Sequence, residues 1–74
     1  MIDFSGLDLF GKVLWVSEKD GNGIIVDPIG NEFYFDISVV DGRHLPGRGD
    51  NVSFIQSSSI ARCARDVKTI REVA

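Results

Sequence analysis

Up to residue 49, glycine and proline cut this chain into runs too short for most helices. Eight glycines and two prolines fall among 74 residues, and between them lie β-branched and aromatic segments. Punctuation of that kind predicts short strands joined by turns. The first run is residues 12–16, Lys-Val-Leu-Trp-Val. A turn follows over residues 17–23, where Asp20-Gly21 and Asn22-Gly23 tolerate the left-handed backbone of tight hairpins. Residues 24–26 form a second strand, and Asp27-Pro28-Ile29-Gly30-Asn31 a second turn. In the third run, residues 32–37, alternation puts Phe33, Phe35 and Ile37 on a buried face and Glu32, Tyr34 and Asp36 on a wet one. A long Gly-rich loop with Pro46 spans residues 41–51, and a fourth strand follows with Val52 and Phe54 inward. After the Ser57-Ser58-Ser59 turn, residues 60–70 read two ways. Ile60, Ala64, Val67 and Ile70 recur at helical spacing behind a possible Ser59 cap, while Cys63, Arg65, Val67 and Thr69 alternate as a strand would. Periodicity alone favours the helix.

The length allows one domain, residues 1–74, with no room for a deep cleft between lobes. Its 43% hydrophobic and 26% charged residues are ordinary for a folded protein, which disfavours intrinsic disorder. No apolar run approaches the roughly 18 residues of a membrane span. The first residues, interrupted by Asp3 and Asp8, lack the basic start of a secretory leader. Cys63 is the only cysteine, so no internal disulfide forms and a reducing cytoplasm is expected. One Cys and one His, His44, are too few for a four-ligand zinc site. A single histidine and scattered carboxylates leave no catalytic set, so no enzyme activity, metal or cofactor is expected. Gly21-Asn22-Gly23 lacks the Lys-Ser/Thr and the helix of a phosphate loop. Arg48-Gly49-Asp50, an adhesion tripeptide on paper, reads as chance in a chain with no export signal.

The formal net charge of −3 conceals a division. Residues 1–42 set Lys12 and Lys19 against eight carboxylates, a balance of −6. Residues 43–71 set six cations against Asp50 and Asp66, a balance of +4, and Glu72 supplies the rest. Asymmetry of this kind suits a polyanion-binding side and equally suits solvated charge at two ends of a small domain.

Gly11-Lys12-Val13-Leu14-Trp15-Val16, followed by Gly21-Asn22-Gly23-Ile24-Ile25, resembles the start of a cold-shock domain. That family has a glycine, an aliphatic strand and a Trp-Phe pair, then a Gly-Phe-Gly-Phe-Ile motif and an aromatic third strand. Here the third strand reads Phe33-Tyr34-Phe35-Asp36-Ile37 and is followed by Ser38, as in the family. Gly42 to Val52-Ser53-Phe54 falls in register, and Ala64-Arg65-Asp66-Val67 resembles the family's Ala-x-x-Val fifth strand. The resemblance covers about residues 10–70, with residues 1–9 as an extension. It implies an all-β, five-stranded antiparallel OB-fold barrel, and so a strand in place of the helix in the last segment. It also implies binding of single-stranded RNA or DNA, with rings stacking on bases and cations taking phosphates.

The departures are specific. Trp15 and Tyr34 keep two of the family's rings. Val16, Asn22, Ile24 and Ile37 stand where the family has phenylalanines, and Asp36 where it has histidine. Leu14 and Asp20 replace frequent lysines, and Arg43, beside His44, falls on a loop aromatic position. At about 1–3 kcal/mol per stacked base, five lost partners weaken or abolish the family's affinity. The expectation is therefore a monomer that binds single-stranded nucleic acid weakly and without sequence preference. Trp15 and Tyr34 would stack, and Lys12, Lys19 and Arg43 would contact phosphate. The rival is a protein-interaction module that kept the barrel and lost that surface. A third reading gives phosphates to the basic end, Arg62, Arg65, Lys68 and Arg71.

Overall fold

The computed structural model describes residues 8–70. Five strands run through them: β1 (Asp8–Ser17), β2 (Asn22–Val26), β3 (Glu32–Asp36), β4 (Asn51–Gln56) and β5 (Ala64–Thr69). No α-helix occurs among the described residues; two short 3-10 turns, Ile37–Val39 and Asp41–Arg43, follow β3. The strands form one antiparallel sheet in the order β3-β2-β1-β4-β5.

β1 is long because it serves two partners. Its first half pairs with β4, from Asp8 opposite Ile55 to Lys12 opposite Asn51. Its second half pairs with β2, from Lys12 opposite Val26 to Ser17 opposite Asn22. The sheet curls around this shared strand into a half-barrel. Its edge strands meet at a parallel bridge between Tyr34 and Cys63, where the Tyr34 N–H donates to the Arg62 carbonyl at 2.7 Å. A second parallel bridge joins Val40 to Val67. These contacts shield edges that would otherwise invite pairing with another chain.

The concave side holds the core: Val13, Ile25, Phe33, Phe35, Val40, Val52, Phe54, Ala64 and Val67. Phe33 and Phe54 join its two ends, with ring centroids 4.9 Å apart and planes tilted by 54°. That geometry adds about 0.5–1.5 kcal/mol to the burial itself. No polar or charged side chain is buried among the described residues, so the core rests on apolar contact alone.

The last segment is the strand that the resemblance implies and not the helix that periodicity alone favours. Three other sequence expectations need correction, and the helical spacing of the last segment has a physical source. Arg65 faces Ile55 and Lys68 faces Ser53, so β5 carries one residue more than β4 between those pairs. Asp66, with φ of 50°, absorbs the surplus. The bulge turns both Ala64 and Val67 inward, three positions apart as on a helix. Ile37 does not continue the buried face of β3. The Asp36 carboxylate accepts from the Ser38 N–H at 2.8 Å and from the Ser38 hydroxyl, which starts the 3-10 turn and leaves Ile37 39% exposed. Asn22 and Gly23 belong to β2 and not to the preceding turn. Finally, the first strand begins at Asp8 rather than at residue 12. Most of the expected N-terminal extension, residues 1–7, and Arg71 of the basic end lie outside the described residues.

Candidate functional site

Simple alternation along β1 would send Trp15 to the same side as buried Val13. The register prevents this. Val13 faces Ile25, but Trp15 faces Ile24, so Leu14 is an extra residue in β1. The resulting bulge re-aims the indole outward. Trp15 is 44% exposed, Leu14 is exposed beside it, and Val16 returns to the margin of the core.

Ile24 in turn faces Tyr34 across β2 and β3. Residues directly opposite in antiparallel strands share a face. Trp15, Ile24 and Tyr34 therefore form one row across three strands on the convex side, with Tyr34 41% exposed. At ~4.8 Å between strands, the two ring-bearing positions lie about 10 Å apart with an aliphatic floor between them. On either side run two polar rows, Lys12–Val26–Glu32 and Ser17–Asn22–Asp36.

Each of these side chains has a local cause. The hairpin beneath Trp15 is closed by the Gly21 N–H on the Ser17 carbonyl at 2.8 Å, and the Asp20 N–H on the Ser17 hydroxyl at 3.2 Å. Gly21 takes the left-handed backbone there, with φ of 70°. Gly23 lets β1 and β3 approach. A Cβ on it would stand 2.5 Å from the Trp15 carbonyl oxygen and 2.9 Å from the Phe35 ring. At the other end of β2, Asp27 closes the second turn. Burial pushes its carboxyl up. Donation from the Asn31 side chain and from the backbone of Asn31, Ile29 and Gly30 outweighs that and holds it below the usual carboxylate value.

The electrostatics around the ring row are acidic. Along β1 from Lys12 onward, the first turn, β2 and β3, the carboxylates Glu18, Asp20, Glu32 and Asp36 outnumber Lys12 and Lys19. Of the five expected site residues, Trp15, Tyr34 and Lys12 share the convex face, and Lys19 sits on the adjoining β1–β2 turn. Arg43 lies elsewhere. It lines a polar groove of about 500 Å³ with Ser38, Asp41, Asp66 and Lys68. A smaller pocket of about 210 Å³ lies at the β3–β5 seam, between Tyr34, Ile60, Cys63 and Arg65. An apolar groove of about 470 Å³, lined by Phe10, Val26, Pro28, Val52 and Ile70, lies away from the rings.

Sequence reasoning missed Ile24 as the link between the rings, because the pairing register is what makes it one. It also missed the seam pocket, which joins residues far apart in the chain. No group of three or more His, Cys, Asp or Glu capable of holding a metal occurs among the described residues. No helix among them is long and apolar enough to cross a membrane. Neither any family model nor any curated protein matches the chain.

Proposed function

We propose that this domain is a divergent cold-shock-like OB-fold barrel that binds single-stranded nucleic acid weakly through its convex face. The observation that carries this reading is the outward row of Trp15, Ile24 and Tyr34. Every base has a π-face, so an exposed indole and phenol accept any base with little regard to sequence. The bulge at Leu14 supports it, because bulges are a common means of re-aiming a side chain beside a working site. The curled five-stranded sheet suits the partly open barrel of the OB type, whose strand faces and loops hold oligonucleotides.

The magnitude sets the regime. Two stacked bases supply about 2–6 kcal/mol. With few phosphate contacts on an acidic face, binding falls in the high-micromolar to millimolar range. The acid around the rings also favours a second reading, docking of a basic, apolar protein surface on the same row.

Trp15 is the only tryptophan, so its fluorescence reports the site directly. Titration with a short oligo-pyrimidine at low salt should quench it, and added salt should reverse the quenching. An unchanged indole at millimolar oligonucleotide refutes nucleic-acid stacking and leaves the protein-docking reading.

A further inference from the structure

The rings and most of the cations belong to different parts of the chain, and the fold brings them together at the β3–β5 seam. Tyr34, at the end of the ring row, forms the parallel bridge to Cys63 and donates its N–H to Arg62. The exposed Arg62 sets its guanidinium 5.9 Å from the Phe33 ring centroid beside this bridge. Tyr34 and Arg65 line the seam pocket together with Val39. Val39 also lines the next groove, where Arg43 and Lys68 are found. Val39 thus joins the seam pocket of Tyr34 and Arg65 to the groove of Arg43 and Lys68, with Arg62 beside Tyr34.

The charge balance along that path differs from that on the ring face. Arg62, Arg65, Arg43 and Lys68 outnumber Asp36, Asp41 and Asp66, for a balance of +1. With Asp36 counted at the seam, Lys12 and Lys19 around the ring row are outnumbered by Glu18, Asp20 and Glu32, for a balance of −1. A phosphate leaving Tyr34 therefore meets an attractive field across the seam and a repulsive one over β1 and β2.

We propose that a single strand stacked on Trp15 and Tyr34 carries its backbone across the β3–β5 seam, where Arg43 and Lys68 hold its phosphates in the polar groove. This rests on the stacking reading above and adds the path of the strand. It assigns the salt dependence of binding to the second half of the chain, in place of Lys12 and Lys19. Asp41 and Asp66 face the same groove and oppose the phosphate.

The test measures the salt dependence of binding of a labelled oligothymidylate of about eight nucleotides, within the site size of one such barrel. Arg43 and Lys68 are exposed, so R43Q and K68Q should leave the fold intact, as circular dichroism can check. Each phosphate contact on a single strand contributes about 0.7 to the slope of log K against log salt, or roughly eightfold in affinity at ~50 mM salt. The R43Q/K68Q double variant should lower the slope by about 1.4 and weaken low-salt binding by tens of fold. K12Q/K19Q should change the slope little. D66N, which keeps a side chain tolerant of the left-handed backbone there, should tighten binding at low salt. A slope unchanged in R43Q/K68Q but lost in K12Q/K19Q overturns the path while Trp15 quenching still upholds stacking. The predicted slope loss without Trp15 quenching upholds the groove and refutes the stacking. No binding at low salt overturns both.

Discussion

Gly23 shows how much one missing side chain decides. Its Cα lies where β1 and β3 close on β2, and a methyl group there would press on backbone oxygen and on a buried ring at the same time. Neither neighbour is the free end of a flexible side chain, so neither yields easily. Gly23→Ala should cost about 1–3 kcal/mol, the usual range for overpacking. Urea denaturation checks this, and the midpoint should fall with an unchanged m-value. Gly30 has the reverse character: φ of 94° but open space around it, so its role is conformational only. Asp27 gives the pH dependence at this scale. Its carboxyl titrates lower folded than unfolded, so its contribution is complete above the unfolded value, near pH ~4. It is lost as pH falls through the lower, folded value. Thermal melts between about pH 5 and 2 should show this loss, and Asp27→Asn should flatten that part of the profile.

At the scale of elements, two bulges govern the sheet. In β1 the surplus residue is Leu14, and in β5 it is Asp66. Each breaks strict alternation, and at these two places the sequence pattern misleads. Trp15 shares the parity of buried Val13, and Ala64 and Val67 share the spacing of a helix face. β4 carries no surplus of its own, and Val52 and Phe54 are read correctly as inward from alternation alone. The turns were legible because Gly, Asp, Asn and Pro mark them chemically. The end of β3 was not, because a carboxylate capping its own neighbour competes with the strand over a distance of two residues. Trp15 and Tyr34 could be picked out as rings, but their union in one row depends on pairing across β2, which no local pattern contains. The bulge in β1 makes a further prediction. Deleting Leu14 restores regular alternation with Val13 inward and Trp15 still outward. The shortened protein should fold and keep the red-shifted emission of a solvated indole. A blue shift, or loss of the β-sheet dichroism, contradicts this account of the bulge.

At the scale of the whole molecule, a small curled sheet has filled its interior with aliphatic and aromatic side chains and has no buried polar group among the described residues. The proposed recognition therefore falls to the outer surface. That surface is divided, with exposed rings among carboxylates on one side and arginines and Lys68 across the seam. The account's central claim is that the ring row is the binding surface. Chemical-shift mapping of the backbone amides and the Trp15 indole N–H during titration with oligothymidylate tests it most directly. The account predicts the largest shifts at Trp15, Ile24 and Tyr34, with smaller ones along Arg62, Arg43 and Lys68. A silent ring row, with shifts confined to the apolar groove around Phe10 and Ile70 or absent altogether, would contradict it.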